Sequence, residues 1–526
     1  MQPDRSSPDP ATSSDSATGG SPPPPPPPPH QQQPRVGTGT IRLVWWLLGL
    51  ALVLRLAMAW GNYGFVAMDD YTGMLRLAVP AQRVTGPAEI IATTGIRSPE
   101  PTLILYGLAQ FGLRLGLHDP VDQIRFVYGV LGLLSLAGVG MVWWMFRRIG
   151  RPDWGIHGVA WTGLHFLAVY LSTRVLIENM SMPFLTAAAA LVVVYAHEGR
   201  RGLLLGSVLA ITVAATLRFQ SGIVVLAILT VPLVQRRWRD LGAALLLGLA
   251  LFLITGWADD LLRGGFHTSL RSYLSYNLHE SSSFGVTAWW AYLALLAAVA
   301  FPPFLIGRYR GFPGRDYVRL LWPLGLVVTV FVGFHSAIPH KEDRFMTPVV
   351  MAYLALLAPF TAWLTARRPL GWRSVGFVGI NVALVAALAV VPAQNNVIGV
   401  VRYLGAHPGI HDLWSYRVSA EPYPTAYAAG PVARLHPVVG IPRDSMAAGG
   451  CRDAVAVRSD LLPSVSEQLA GWTEVATFAP GLPERMVIWI NPRNNTRRNP
   501  VHLFVPPGCG NDGGVSPPRE PSSLPR

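Results

Sequence analysis

Charged residues are scarce in this chain. They make up 13% of its 526 residues, whereas 51% are hydrophobic, and soluble proteins carry about 25% charged residues. So few charges cannot cover the surface of a water-soluble protein of this length, which excludes a soluble enzyme. The composition therefore indicates a polytopic integral membrane protein, in which the length is used for hydrophobic spans of about 20 residues each.

Cysteine is almost absent. The two that occur, Cys451 and Cys509, both lie in the polar C-terminal part of the chain. No Cys-x-x-Cys pair or His/Cys cluster is present, so we expect no zinc site, and no cofactor is indicated. Two cysteines in a domain outside the cytoplasm can form a disulfide, and a Cys451–Cys509 bridge is a prediction that a single pair does not prove.

Acidic residues are outnumbered by basic ones, 29 to 42, which gives a formal net charge of +13. A nucleic-acid-binding protein would carry this excess as a basic patch on a polar fold. Here the basic residues lie in short connectors between apolar runs, as expected where Lys and Arg collect in cytoplasmic loops. Membrane topology is therefore the favoured explanation, and no nucleic-acid partner is expected.

The chain divides by composition into four parts. Residues 1–40 include eight consecutive prolines (Pro22 to Pro29) and should form a disordered cytoplasmic tail. Residues 41–392 form the multi-spanning region, 393–512 a polar domain, and 513–526 a flexible tail. Eleven apolar runs predict eleven transmembrane helices, near 41–60, 123–146, 154–172, 181–197, 202–217, 220–235, 240–258, 286–307, 318–336, 346–366 and 373–392.

Five connectors between apolar runs are rich in basic residues. Eleven crossings with the N-terminus inside place all five in the cytoplasm. The polar domain at 393–512 then lies outside the cytoplasm, together with both cysteines. Within this domain, the apolar stretch Met486 to Ile490 predicts a strand. We therefore expect an all-α membrane region followed by a small α/β-type extracytoplasmic domain.

Asp69 and Asp70 are adjacent carboxylates just after the first apolar run. Adjacent carboxylates repel each other, and one of them can hold a raised pKa. A carboxylate at this place could act as general base on a sugar hydroxyl. The alternative interpretation is a helix N-cap at the membrane surface.

Four further ionisable residues lie at the predicted outer ends of spans. Arg97 could hold a phosphate or be a solvated turn residue. Arg174 and Glu178 are spaced i, i+4 and could pair on one helix face. Arg218 could serve the site or anchor its helix by snorkelling. Ionisable groups near membrane depth are functional candidates by default.

The short loop His340-Lys341-Glu342-Asp343-Arg344-Phe345 places five ionisable groups between two apolar runs. Cations there could neutralise the leaving group of a lipid-linked phosphate. Dense charge in an extracytoplasmic loop also opposes the positive-inside bias, which favours function over a solvated charge run.

Three functions are compatible with these residues. One is an enzyme that transfers a group from a lipid phosphate to a polar acceptor. The second is a transporter or flippase of lipid-linked sugars, which predicts charged or broken spans near mid-bilayer; the spans here read as largely free of charge, which favours the enzyme. The third is a receptor-like protein whose function lies in residues 393–512.

The loop at 340–345 matches the His-Lys-Glu-x-Arg-Phe motif of glycosyltransferase family 22, the mannosyltransferases of N-glycan and GPI-anchor assembly and their bacterial relatives. Weaker matches follow the family's order: Met68-Asp69-Asp70, Thr173-Arg174 to Glu178, Asp259-Asp260, Tyr276-Asn277, Ser283-Phe284-Gly285 and Trp289-Trp290. Over residues 41–392 the chain resembles this family.

The resemblance implies the GT-C architecture and an inverting transfer of mannose from a polyprenyl (dolichyl-type) phosphate to a glycan or glycolipid acceptor. Asp69 would be the general base, with Asp70 beside it. The candidate donor- and phosphate-binding residues are Arg97, Arg174, Arg218, His340, Lys341 and Arg344, and the candidate orienting residues are Glu178 and Glu342.

The chain departs from the family pattern at three positions: Met68 replaces Pro, Asp70 replaces Glu, and Phe284 replaces Tyr. These differences indicate a divergent bacterial member in the plasma membrane, or in the endoplasmic reticulum if the source is eukaryotic. The acceptor stays open, and the sugar could be one other than mannose.

Overall fold

The structure is a computed structural model and describes residues 37–79, 86–280, 282–283, 285–300, 311–367, 372–417, 423–431, 433–441, 450–490 and 495–509. The predicted tail at 513–526, Phe284, and residues 301–307 of the apolar run at 286–307 lie outside this range, as do residues 1–36 of the predicted tail at 1–40. Residues 38–40 of that tail belong to the first helix.

The described chain is mainly helical. Its α-helices are α1 Thr38–Gly61, α2 Met68–Asp70, α3 Arg76–Ala78, α4 Pro87–Thr93, α5 Glu100–Arg114, α6 Pro120–Arg148, α7 Pro152–Leu164, α8 Phe166–Leu171, α9 Ile177–Glu198, α10 Arg201–Leu217, α11 Val224–Val234, α12 Trp238–Arg263, α13 Thr268–Glu280, α14 Ala291–Ala300, α15 Gly314–Ala337, α16 Val350–Arg367, α17 Trp372–Val390, α18 Asn395–Ala406 and α19 Leu482–Ile490. A π-helical turn, Tyr71–Leu75, joins α2 to α3, and 3₁₀ turns cover Phe219–Ile223, Asp343–Val349 and Thr425–Tyr427.

Seven helical stretches in the described part of the chain are long and apolar enough to cross a membrane: Thr38–Gly61, Pro120–Arg148, Ile177–Glu198, Trp238–Arg263, Gly314–Ala337, Asp343–Arg367 and Val375–Ala406. The predicted runs at 202–217 and 220–235 form apolar helices of only 10–17 residues. The run at 154–172 is divided into α7 and α8. A polytopic all-α membrane protein is therefore confirmed, whereas the number of eleven spans is not.

Helix α9 lies at the centre of the helical bundle and contacts α6, α10, α15 and α16. Its residues Ala188, Ala189 and Ala190 are all buried, and small side chains let membrane helices approach closely. Glu178 lies in the first turn of this helix and is buried as well. Of the seven apolar stretches found in the described residues, the one with the largest buried share thus carries one of the candidate site residues.

The predicted span at 154–172 is interrupted at His165, whose backbone is extended. Backbone groups freed inside a membrane need partners within the protein. The side chain of Asn381 on α17 supplies two of them: it donates to the carbonyl of Leu164 at 2.9 Å and accepts the N–H of Phe166 at 2.7 Å. One amide side chain therefore bridges both sides of the break.

Arg55 contradicts the expectation that the spans are free of buried charge. It lies within α1 and is fully buried. Its guanidinium donates to the carbonyls of Gly163 (2.6 Å) and Thr162 (3.2 Å) at the end of α7, and to the hydroxyl of Ser135 (2.8 Å). The cation lies where a helix C-terminus presents unpaired carbonyls and partial negative charge, which explains why it is tolerated there.

The C-terminal region contains a five-stranded sheet with the strand order β2-β1-β3-β5-β4. The strands are β1 Asp412–Tyr416, β2 Arg434–Val438, β3 Asp453–Arg458, β4 Thr473–Phe478 and β5 Val501–Val505. β1 is parallel to β2 and β3, whereas β5 is antiparallel to β3 and β4. Cys451, before β3, and Cys509, after β5, form a disulfide with a Cα–Cα distance of 5.2 Å.

The predicted strand at Met486 to Ile490 is wrong, because these residues belong to helix α19. A five-residue apolar run cannot by itself distinguish a strand from one face of a helix. In α19, Leu482, Met486 and Trp489 are exposed at helical spacing, and the helix packs against α17. The neighbouring membrane helix, which no local pattern reveals, decides the conformation.

Candidate active site

The two adjacent carboxylates lie on α2 and have different environments. Oδ2 of Asp70 accepts the N–H of Ala67 at 2.8 Å. Ala67 and not an acid is the N-cap residue, and Asp70, the third residue of the helix, reaches back to it. Asp70 is buried, whereas the side chain of Asp69 is 51% exposed. Of the two, Asp69 is the carboxylate that a substrate can reach.

Arg344 connects both carboxylates to the loop at 340–345. Its Nη2 lies 2.8 Å from Oδ2 of Asp69, and its Nη1 lies 3.3 Å from Oδ1 of Asp70. Its Nε lies 2.7 Å from Oε2 of Glu342. A planar guanidinium can serve three carboxylates in this way because its donors point in fixed directions. The segment that carries α2 and the loop at 340–345 therefore meet at the same end of the bundle.

Arg97 is the second cation at Asp69. Its Nη2 lies 3.1 Å from Oδ2 of Asp69, and its Nη1 donates to the backbone carbonyl of Asp69 at 3.2 Å. Both arginines approach the same carboxylate oxygen. No described residue donates a hydrogen bond to Oδ1 of Asp69, so this oxygen can accept one from a substrate.

The two carboxyl groups differ in acidity. Partial burial alone would raise the pKa of Asp69, but the guanidiniums of Arg344 and Arg97 outweigh it and hold the pKa below its usual range. Complete burial raises the pKa of Asp70 to about 7, although Arg344 opposes this rise; the charge of Glu178 adds to it. Asp69 is therefore ionised at neutral pH, and Asp70 titrates close to it.

The loop at 340–345 is held by internal contacts. Nε2 of His340 lies 3.1 Å from Oε1 of Glu342. The hydroxyl of Tyr292 on α14 accepts the N–H of Glu342 at 3.1 Å. The ammonium of Lys341 donates only to backbone carbonyls, those of Ile338 (2.6 Å) and Thr287 (3.1 Å). Lys341 thus differs from Arg344: no carboxylate of the described residues forms an ion pair with Lys341.

An apolar groove of about 510 Å³ lies among α14, α15 and α16. Both carbonyls that accept from Lys341 belong to residues next to the groove wall, since Ile338 follows Ala337 and Thr287 precedes Trp289 by two positions. The groove is lined by Trp289, Leu293, Leu296, Ala297, Val328, Thr329, Val332, Gly333, Ser336, Ala337 and Tyr353. An apolar groove whose wall is close in the chain to residues that bind a cation suits a ligand with an anionic head and a hydrocarbon chain.

Arg174 and Glu178 do not form the i, i+4 pair that their spacing suggested. Glu178 instead forms an ion pair with Arg218, and both side chains are buried. The guanidinium of Arg218 also lies 5.1 Å from the ring centre of Phe345. Helix α9 begins only at Ile177, so Arg174 precedes it and points elsewhere. Arg218 is therefore not a snorkelling anchor, because it is buried and its charge is matched by Glu178.

Arg174 holds the chain that leads to the carboxylates. Its Nη1 donates to the carbonyls of Asn62 at 2.6 Å and Gly64 at 2.8 Å. The guanidinium lies between the rings of Tyr128 and Tyr170, 4.8 and 4.7 Å from their centres. These contacts make Arg174 a support for the segment between α1 and α2.

The sequence analysis missed Arg263, at the end of α12. Its guanidinium donates to the carbonyls of Gly95 (2.6 Å) and Arg97 (2.8 Å) and to the hydroxyl of Thr94 (2.5 Å). It therefore fixes the turn that carries Arg97. An arginine at the predicted outer end of a span opposes the positive-inside bias, and that signal could have identified it.

Asp259 belongs to one of the weaker matches to the family pattern, and its contacts are structural. It is buried, and its carboxylate accepts the N–H and the hydroxyl of Ser269 at 2.7 and 2.6 Å. It thus holds the first turn of α13. One face of α13 borders an open cleft of about 720 Å³ lined by Thr268, Arg271, Ser272, Ser275, Tyr276, His279 and Glu280. Across the described residues, no group of three or more His, Cys, Asp or Glu side chains could hold a metal ion.

Comparison with known proteins gives a family match and similar solved structures. Residues 88–409 match the model of the Alg9-like mannosyltransferase family. The crystal structure of ArnT from Cupriavidus metallidurans bound to undecaprenyl phosphate is similar, with a TM-score of 0.53 and 13% identity over 92% of this chain and all of that one. The apo structure of the same protein gives 0.52 and 13% over 89% of this chain and 98% of that one.

These structural similarities confirm the predicted GT-C architecture, and at 13% identity they speak to the fold alone. No curated protein matches the chain in sequence. The family match begins after the two carboxylates on α2 and includes the whole loop at 340–345.

Proposed function

Since the chain belongs to the Alg9-like mannosyltransferase family, we propose that it transfers mannose from a polyprenyl phosphate to a hydroxyl of a glycan or glycolipid acceptor at the outer membrane surface. The observation that carries this proposal is the contact of Asp69 with Arg344. An apolar groove whose wall includes Ala337, four positions before Lys341, supports it.

Asp69 acts as the general base. An acceptor hydroxyl donates to its Oδ1 and loses its proton there, while the hydroxyl oxygen attacks the anomeric carbon of the donor sugar. The bond between that carbon and the phosphate oxygen breaks on the opposite face, so the configuration inverts and the polyprenyl phosphate leaves. The two arginines at Oδ2 keep the carboxylate ionised and oriented.

The cationic loop receives the negative charge that develops on the leaving phosphate. Lys341 is the best candidate, because backbone carbonyls rather than carboxylates hold its ammonium. His340 and Arg344 lie in the same loop, and Glu342 orients both of them. The groove beyond Lys341 would bind the first isoprene units of the donor. The ArnT neighbour that was crystallised with undecaprenyl phosphate supports a ligand of this class.

The direct test is transfer of radiolabelled mannose from polyprenyl-phosphate mannose by the protein in lipid nanodiscs, with source membranes as acceptor. Asp69→Asn should abolish transfer, because the amide cannot take the proton. Asp122→Asn is the matched control, since it alters an exposed carboxylate that, among the described residues, pairs with Arg125 alone and should leave transfer intact. Full activity of Asp69→Asn would refute its role as base.

The sugar is tested in the same assay with polyprenyl-phosphate glucose and aminoarabinose as competitors. Selective use of the mannose donor is expected from the family. Lys341→Ala should raise the KM for the donor more than tenfold, since a phosphate would lose a charge-assisted contact worth about 1.5–3 kcal/mol. An unchanged donor KM would remove Lys341 from the phosphate site.

Transport of lipid-linked sugars is the second candidate, because Arg55 and the break at His165 are features that a transporter predicts. The contacts of Arg55 favour the enzyme: its guanidinium caps carbonyls of α7 rather than lining a cavity of the described residues. Movement of a fluorescent lipid-linked sugar between leaflets in proteoliposomes, without sugar transfer, would support the transporter instead.

A further inference from the structure

The segment that carries the carboxylates lacks regular secondary structure where it leaves α1. Residues 62–67 form neither helix nor strand, so their carbonyls must find partners elsewhere. Arg174 binds the carbonyls of Asn62 and Gly64, and Tyr128 donates to Gly64 at 2.9 Å. The carbonyl of Tyr63 remains for another partner.

That partner comes from the C-terminal domain. The hydroxyl of Tyr427 donates to the carbonyl of Tyr63 at 3.0 Å. Tyr427 is buried, and its ring centre lies 6.2 Å from that of Phe65 and 6.4 Å from that of Tyr71. The side chain of Tyr427, from the C-terminal domain, thus fills the space between the segment that follows α1 and the turn after α2.

A second contact lies directly beside the carboxylates. Tyr71 follows Asp70 in the chain, and its buried hydroxyl accepts the N–H of Ala426 at 3.1 Å and lies 3.2 Å from Oγ1 of Thr425. The 3₁₀ turn Thr425–Tyr427, here called the clamp, therefore contacts the chain on both sides of Asp69 and Asp70. The chain that carries the base is therefore held before α2, at Tyr63, by Tyr427 and after α2, at Tyr71, by Thr425 and Ala426.

We propose that the clamp positions the carboxylate helix, so that Thr425 and Tyr427 are positioning residues for sugar transfer although they lie in the C-terminal domain. Arg344 and Arg97 reach Asp69 only while α2 keeps its place. Loss of the clamp would let α2 move relative to the loop at 340–345 without disturbing the membrane helices. This inference rests on the proposed function for its kinetic consequence and on contacts alone for its structural one.

The chain offers closely matched variants. Tyr427→Phe keeps the ring in its pocket and removes only the hydroxyl that binds Tyr63, and Thr425→Val keeps the shape and removes the hydroxyl near Tyr71. Tyr423→Phe is the control, because Tyr423 is also buried but its hydroxyl contacts Ser415 within the C-terminal domain, at 3.4 Å.

In nanodiscs, we expect Tyr427→Phe to lower kcat about 10- to 100-fold, since a displacement of about 1 Å at a reacting group costs that much. The donor KM should stay within about twofold of wild type, because Lys341 and the groove are untouched. Thr425→Val should act in the same direction, and Tyr423→Phe should match wild type. A merely structural role would lower the folded fraction and leave kcat per folded molecule unchanged.

Hydrogen exchange of the amides at 62–72 tests the positioning without reference to activity. Faster exchange is expected in Tyr427→Phe but not in Tyr423→Phe. If the wild-type protein transfers no sugar while this difference is present, the proposed function fails and the clamp stands. If Tyr427→Phe and Thr425→Val match Tyr423→Phe in both exchange and kcat, the clamp is refuted.

Discussion

Nη2 of Arg344 and Oδ2 of Asp69 lie 2.8 Å apart, although 275 positions separate the two residues in the chain. This contact joins α2, in the segment that follows α1, to the loop at 340–345. The same guanidinium reaches Asp70 and Glu342, so one side chain sets the relative position of three carboxylates.

Arg344→Lys should lower sugar transfer about 100-fold while the protein stays folded. A lysine keeps the charge but has no planar fork, so it can approach one of the three carboxylates and leaves the others unmatched. Transfer kinetics and thermal unfolding of purified protein would measure both effects. Arg319→Lys is the control, because Arg319 is exposed and its one ion pair with a described residue is to Asp316, one turn away in the same helix. Equal activities of the two variants would contradict a special role of Arg344.

The activity should fall as the pH drops below about 7. The cause is Asp70, whose pKa is raised to about 7 by burial. Below this pH Asp70 is protonated and no longer attracts Arg344, so Asp69 loses part of its alignment. Asp69, with a lowered pKa, stays ionised throughout. We expect kcat/KM to rise between pH 6 and 8 in the wild type, and Asp70→Asn to abolish this rise. An unchanged profile in Asp70→Asn would exclude Asp70 as its source.

The stability of the fold should change in the opposite direction. Because the pKa of Asp70 is higher in the folded than in the unfolded chain, its contribution is fully present below its ordinary pKa of about 3.8 and is lost as the pH rises through about 7. Wild type should therefore lose thermal stability between pH 5 and 8 relative to Asp70→Asn. Parallel unfolding temperatures of the two proteins over this range would contradict the assignment.

Gly73→Ala should weaken catalysis through Arg97. A Cβ at position 73 would lie 2.1 Å from Nη1 of Arg97, so the flexible guanidinium must move, and its contact with Asp69 would be lost. We expect kcat to fall about tenfold with little change in thermal stability. Gly107→Ala is the control, since a Cβ there meets nothing within 4 Å. Identical kinetics for both variants would show that Arg97 does not assist the base.

Asn381→Ala should destabilise the bundle without affecting the chemistry. It leaves the carbonyl of Leu164 and the N–H of Phe166 without their partner inside the membrane, at a cost of about 1–3 kcal/mol each. Thermal unfolding in detergent should show the loss, while kcat per folded molecule stays unchanged. Thr230→Val is the comparison, because that hydroxyl bonds only to the carbonyl of Leu226 in its own helix. A loss no larger than in this variant would contradict the bridging role.

The sequence by itself determined the class of protein and the two loops that matter. Low charge and apolar runs specify a polytopic membrane protein, because the hydropathy of each local segment decides whether it inserts into a bilayer. The motif at His340 to Phe345 pointed to the family, since its spacing is contiguous in the chain. The acids at 69 and 70 stood out because charge beside a bilayer is unusual.

Only the tertiary structure decided which charges meet. Glu178 pairs with Arg218 rather than with Arg174, and Arg174 binds backbone carbonyls, because partners are chosen by helix packing and not by spacing along one helix. Arg55 is tolerated inside α1 because α7 ends beside it. The contact of Tyr427 with the carboxylate segment joins positions 364 residues apart. No local pattern encodes such a pair, since its energy exists only once both segments are folded.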